Sequence, residues 1–541
     1  MRHPTPPLST SIDGLFERRL VVLAICMALI GYAFLSRIFA LDAKVNVDAI
    51  WMWHDHTLRF WRGLSSGRWM DTFQHHPGVT FMWLSGLSMK ASGTFGRPLS
   101  DAVLIAGKVP VVLVASLSVG ATFLLVRRIL GSSYTLWAAL AAFLLASEPF
   151  AIGHARTFHL DMLVTSFGWC AALAGVVAAR EASIRWGLLT GALLGLALLS
   201  KVSAAGIAMG VALVFCVEGV RHRSWAERRR LLACLLTTVA LSALVVVSLW
   251  PALLFEPAKT ASLFFTRVKG EFTGGHQLFS WGEVHTRDPG VGFYLGVLLF
   301  RTTPEVLVLA AIAVGCIVRL SAQGTELRVG FLCRYPVAHI LLTHAIWLFI
   351  FLGNPKKQDR YFLTFLPILC LAAALALKRL WEVQWLQDWA RRWKRPVLVL
   401  FTILGVLFIT RTARVIAAHP VPLGWTSRLP LLSAERSVQL GIGEGLREVA
   451  IFIKNDVPRG VTPTLALYIY HRALTPWIRY RPVHHREAMY IIDYVCLRQR
   501  KREAKLIQSY TRGVKPLLVV RYGDVDYARL YPGPRHRSRQ K

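Results

Sequence analysis

The chain has 541 residues, of which 54% are hydrophobic, with 18 tryptophans and a formal net charge of +33. Its apolar residues run in long continuous blocks, which argues against a soluble multidomain protein and for a multi-span membrane protein. The basic charge lies between those blocks, where lysine and arginine meet anionic head groups, so it speaks against nucleic-acid binding, which gathers charge on one soluble face.

The basic N-terminus leads into an apolar run from Leu20 to Leu41. That run is too long for a signal-peptide core and lacks a small-residue cleavage site, so it reads as a permanent first span. Further spans of roughly 20 residues are expected at 101–126, 134–151, 160–179, 184–200, 202–219, 230–250, 291–318, 335–353, 361–378 and 396–413. This predicts a multi-pass α-helical protein with about 11 transmembrane helices. Lys201 interrupts one pair of runs, and Arg301 with Pro304 interrupts the 291–318 run. The eight cysteines lie mostly within or beside apolar runs, with no CxxC and no His-Cys cluster, which supports neither a disulfide framework nor a structural zinc site.

Arg18–Arg19, Arg127–Arg128, Arg180 with Arg185, Arg221–Arg230, Arg319–Arg334 and Lys378–Arg395 fall on one side if the N-terminus is cytoplasmic. The outer segments are then 42–100, 152–159, the point near Lys201, 251–290, 354–360 and the chain after about 414. Residues 1–413 are expected to form the transmembrane module. Residues 414–541 combine a helical stretch (EGLREVAIFIKN) with strand-like runs (TLALYIY, YIIDYVCL, PLLVVRY), which predicts a small extracytoplasmic α/β domain.

Outer loop 42–100 opens with Asp48, continues through an amphipathic stretch (IWMWHDHTLRFWRGL) suited to the membrane interface, and reaches GRWMDTFQHHPGVTFMW. The tryptophans also fit an ordinary aromatic belt. Asp48 stands at a helix end, where it either meets water or works, and Asp161 repeats the pattern in HARTFHLDMLVTSF. The turn NPKKQDRY places Lys356, Lys357 and Arg360 on a short outer loop against the positive-inside trend. An anion held there is one explanation and head-group snorkelling is the other. Lys201 and Arg301 add positive charge near the same level. Loop 251–290 (EFTGGHQLFSWGEVHTRDPG) has the length and glycine content of a loop near a site.

Together, Asp48 after the first span, HHPGVTFMW, Asp161 in a short outer turn, Lys201 in LLSKVSA and NPKKQDRYFLTFLP resemble glycosyltransferase family 39. These are GT-C fold enzymes that include protein O-mannosyltransferases and lipid A aminoarabinose transferases. The resemblance is nearest to a bacterial branch with the HHPG loop and a GxGEGL segment, here GIGEGL at Gly441–Leu446. It implies a bacterial inner-membrane enzyme that moves a sugar from a polyprenyl-phosphate donor to a protein, glycan or lipid acceptor with inversion. It assigns Asp48 as general base, Asp161 and His76 to the catalytic set, and Lys201, Lys356, Lys357 and Arg360 to the donor phosphate. Where relatives usually carry an Asp-Glu pair, this chain has Asp48-Ala49. Where the aminoarabinose transferases carry an acid and a lysine, it has His75 and His76. The resemblance thus raises a divalent-metal site of His75, Asp161 and His276 for zinc, magnesium or manganese, with hydrogen bonding to the donor phosphate as the other role for the histidines. GIGEG lacks the dinucleotide spacing and reads as a helix start. A lipid-linked sugar transporter or a non-catalytic scaffold are the rival readings.

Overall fold

A computed structural model describes residues 19–43, 46, 48–74, 77–221, 224–273, 277–322, 336–383, 396–429, 431–467, 471–500 and 504–536. The apolar runs form helices, the one local conformation that pairs every backbone group inside a bilayer. In chain order they are α1 Arg19–Ile38, α2 His54–Ser66, α3 Val79–Ala91, α4 Asp101–Leu130, α5 Thr135–Ala146, α6 Pro149–Ala155, α7 Asp161–Glu181, α8 Ile184–Ser200, α9 Ala205–Arg221, α10 Trp225–Leu249 and α11 Pro257–Thr273. After the β1–β2 hairpin (Leu278–Ser280, Glu283–His285) come α12 Gly292–Arg301, α13 Pro304–Ala322, α14 Pro336–Gly353, a 3₁₀ turn Asp359–Phe365, α15 Leu366–Trp381 and α16 Pro396–Ala418.

All eleven predicted spans are helical, and among the described residues eight are long and apolar enough to cross a bilayer unaided. The others are broken or short for physical reasons. Pro149 starts α6 and cannot continue α5, so the pair bends by 61° with Ser147 and Glu148 at the break. Pro304 likewise separates α12 from α13. The α8 helix has 17 residues and ends at Lys201, whose backbone is extended. A short 3₁₀ turn then leads into α9, which frees the Lys201 side chain from the helix surface. The α7 helix is almost wholly buried, while α1, α10 and α16 expose Leu20, Leu23, Leu244, Phe401 and Ile409 on the bundle's periphery, as lipid-facing helices do.

Beyond α16, α17 (Leu446–Asp456) and α18 (Ala504–Thr511) accompany a five-stranded mixed sheet of order β4-β3-β5-β7-β6. Its strands are β3 Thr464–Ala466, β4 Arg481–Pro482, β5 Tyr490–Tyr494, β6 Leu518–Tyr522 and β7 Val525–Pro532. Strand β3 pairs parallel to β4 and β5, and β7 pairs antiparallel to β5 and β6. The strand-like run YIIDYVCL divides at Tyr494, after which Val495–Gln499 is helical. Gln499 anchors that turn by donating to Glu435 O and Val438 O, both at 2.8 Å.

Candidate active site

Asp48 stands just before a π-helical turn, Ala49–Trp53, that leads into α2. Asp161 begins α7, and His159 precedes it in the turn after α6. Lys201 is the residue that breaks α8 from α9, and Arg360 lies in the 3₁₀ turn ahead of α15. Five side chains from four separate breaks in the helix ladder therefore meet. Such breaks are tolerated at this depth only where the freed groups line protein or a polar cavity.

Arg360 Nη1 donates to Asp48 Oδ2, and its Nε lies 3.1 Å from Asp161 Oδ2. Lys201 Nζ donates to Asp161 Oδ1 at 2.7 Å and sits 4.0 Å from the centre of the Tyr361 ring. The His159 imidazole bridges the two acids, with Nδ1 2.8 Å from Asp161 Oδ2 and Nε2 3.4 Å from Asp48 Oδ2. The Asp161 side chain is 4% exposed and that of Asp48 20%, so Asp48 is the carboxylate that solvent or a substrate reaches. Burial alone pushes the Asp48 carboxyl up, but the charges of Arg360 and His159 outweigh it and hold the group below the usual carboxylate range.

The opening of the family-like loop is part of this support. Gly78 has φ of +54°, and its N–H donates to Ser200 O at 3.2 Å, next to Lys201. A Cβ there would collide with the Trp53 indole, which in turn packs edge-on against His159 at 5.7 Å. The glycine of HHPG thus permits both the left-handed backbone and the close indole. Gly78→Ala is expected to cost about 1–3 kcal/mol by overpacking, with added strain from positive φ. Thermal unfolding in detergent checks it; an unchanged midpoint would show that the indole moves aside freely. His75, His76 and His276 lie outside the described residues.

Other predicted residues are placed elsewhere. Lys357 is fully buried and donates to Asp288 Oδ1 at 2.6 Å, Asn354 O at 2.8 Å and Leu352 O at 3.1 Å. Burial pushes Asp288 up, while the Lys357 and Gly290 N–H bonds bring it below the usual range. Lys356 is fixed through its backbone N–H, which donates to Asn354 Oδ1 at 2.8 Å. Arg301 is turned onto Asp359 at 3.1 Å. The structure therefore brings together Asp48, Asp161, Lys201 and Arg360, and sets Lys357 on a neighbouring acid. His159 was absent from the sequence-derived set; its signal was a histidine two residues before Asp161 in the same turn. Among the described residues no three His, Cys, Asp or Glu side chains gather as a metal site. The GIGEGL loop is a helix start: Gly445 caps α17 with φ of +81°, and Gly443 N–H donates to the Tyr494 hydroxyl at 2.9 Å.

Residues 80–250 match a family model described as dolichyl-phosphate-mannose-protein mannosyltransferase. The matched stretch contains His159, Asp161 and Lys201 but neither Asp48 nor Arg360. No curated protein matches the chain. Among solved structures, it is similar to ArnT from Cupriavidus metallidurans bound to undecaprenyl phosphate, at 14% identity and TM-score 0.46, over 95% of this chain and 97% of that one. It is also similar to the archaeal oligosaccharyltransferase AglB from Archaeoglobus fulgidus in complex with an inhibitory peptide and a dolichol-phosphate. There the identity is 12% and the TM-score 0.47, over 90% of this chain and 72% of that one.

Proposed function

We propose that the chain is a GT-C type membrane glycosyltransferase that moves a sugar from a polyprenyl-phosphate donor to an extracytoplasmic acceptor with inversion. The observation that carries this reading is the pairing of an accessible carboxylate, Asp48, with a buried Asp161–Lys201–Arg360–His159 cluster at breaks between apolar helices. The family-model match over residues 80–250 supports it. Asp48 takes the acceptor's proton as the acceptor oxygen attacks the anomeric carbon. The bond from that carbon to the phosphate oxygen breaks on the opposite face, and its electron pair leaves on the phosphate. The leaving group is a stabilised anion, so one base and a positive clamp suffice.

Arg360 and Lys201 supply that clamp, while Lys357, buried on Asp288, stays outside it. The carboxylate oxygens now paired with Arg360 stand in for phosphate oxygens. When Arg360 passes from Asp48 to the donor phosphate, Asp48 loses the cation that depresses it and becomes a stronger base as the donor seats. Asp161 keeps Lys201 in place throughout. Of the suggested metal trio only Asp161 is among the described residues, and it faces Lys201, Arg360 and His159.

In this reading the site faces outward, with the N-terminus cytoplasmic in a bacterial inner membrane. Arg127 and Arg128 end α4, Arg180 closes α7 and Arg221 ends α9, at the helix ends where the positive-inside rule expects them. The test is to supply donor and native lipid extract to purified protein in detergent. Product formed without any sealed compartment is the expected result. Movement of intact donor across sealed vesicles, with no product in detergent, would replace the transferase by a transporter.

A further inference from the structure

The segment carrying Arg360 is held from behind. Arg301, the last residue of α12, is 3% exposed although it sits in an apolar run. Its Nη1 donates to Leu423 O at 2.7 Å, and its Nη2 to Asp359 Oδ2 at 3.1 Å and Gln439 O at 3.5 Å. Asp359 is the residue immediately before Arg360, and it opens the 3₁₀ turn that presents it. Leu423 and Gln439 belong to the chain beyond α16. That chain is stitched to α12 and its flanks by further bonds: Ser427 N–H to Phe300 O at 2.9 Å, Ser427 Oγ to Thr302 O at 2.5 Å, and Trp281 N–H to Ser437 O at 3.1 Å.

We propose that Arg301 is a positioning residue that couples the chain beyond α16 to the Asp48–Asp161 site by engaging Asp359. This rests on the reading that Arg360 acts there. The reason is competition between neighbours. The Asp359 carboxylate is mostly shielded, its side chain 12% exposed, and Arg301 supplies its cation from a guanidinium whose fork also reaches two carbonyls. Without Arg301, the nearest cation to Asp359 in sequence is Arg360 itself. Asp359 then draws Arg360 away from Asp48, and the turn that presents Arg360 loses its anchor. A lysine at 301 offers a point charge and cannot serve Asp359, Leu423 and Gln439 from one planar group.

The test compares Arg301→Gln, Asp359→Asn and the double substitution in the full chain. Two readouts are used: hydrogen exchange over residues 354–365, and the pH dependence of turnover. Arg301→Gln is expected to speed exchange in that segment, to lower kcat about 10-fold and to raise KM for the donor, because Arg360 is drawn off the place where it meets the phosphate. The acid limb of its kcat/KM profile moves to higher pH, because Asp48 of the donor-free site no longer has Arg360 to hold it down. The double substitution removes the competing carboxylate and recovers part of the kcat. Unchanged exchange over 354–365 in Arg301→Gln overturns the proposal, whatever the activity. A lower melting temperature with an unmoved acid limb overturns it too, since that is the mark of a packing role alone. Should Arg301→Gln not be recovered folded, Arg301→Lys is expected to show the same changes at smaller size, and wild-type behaviour in it sinks the coupling. If wild-type protein transfers no sugar, the proposed function fails while the exchange measurement still decides the coupling.

Discussion

Asp48→Asn is expected to lower turnover by about 10²–10⁴-fold, the range that general-base catalysis contributes. Asparagine keeps the size of the side chain and its place before the π-helical turn, but it cannot accept a proton. The change also removes one of the two acids facing Arg360. Asp161 still balances Lys201 at 2.7 Å and lies 3.1 Å from Arg360 Nε, so the cluster keeps a carboxylate at its buried end. Donor binding is therefore expected to persist or strengthen, because Arg360 is released toward phosphate. Turnover and lipid retention measured on the same preparation separate the two effects. The pH dependence has a definite sign. Wild-type kcat falls as pH drops through the Asp48 pKa of the donor complex, and kcat/KM falls at the lower pKa of the donor-free site, where Arg360 and His159 hold Asp48 down. Turnover by Asp48→Asn equal to wild type would remove Asp48 as the base.

Arg411→Met is expected to cost about 3–5 kcal/mol, the penalty for leaving a buried charge without its partner. The Arg411 and Glu148 side chains are both fully buried and pair at 3.0 Å. Arg411 also donates to Ser147 Oγ at 2.6 Å, Leu144 O at 2.8 Å, Thr303 Oγ1 at 2.8 Å and Glu305 Oε1 at 3.0 Å. Glu148 accepts from Thr303 Oγ1 at 2.5 Å and Thr303 N–H at 3.3 Å. One guanidinium thus ties α16 to the α5–α6 bend and to the start of α13, where the helix ladders are broken. The double substitution Arg411→Met with Glu148→Met is expected to be less destabilised than the sum of the singles, because neither charge is left alone. Thermal unfolding in detergent measures all three. A single variant as stable as wild type would show that water reaches Glu148 in the native protein.

The segments that cross the bilayer were legible because each needs only its own composition, and every predicted run is helical. How those runs break was half legible. Pro149 and Pro304 are visible in the sequence, but the partners that Glu148 finds at the 61° bend, Thr303 and Arg411, lie on other segments. Asp48, Asp161, Lys201 and Arg360 could be named as charged residues at the edges of apolar runs. Their mutual pairing could not, since it joins positions up to 312 residues apart. His159 was hidden by the same limit: a histidine in a turn has no periodicity, and only the fold shows it between two acids. Arg301 and Lys357 looked like free cations because the acids that bind them, Asp359 and Asp288, lie on other segments.

The measurement that tests the central claim most directly offers purified wild-type protein in detergent a panel of radiolabelled polyprenyl-phosphate sugars with native lipid extract, and follows label leaving the carrier lipid. The account predicts release or transfer from at least one donor by wild type and its loss in Asp48→Asn. Label that stays on every carrier, or leaves it equally in both proteins, would contradict it.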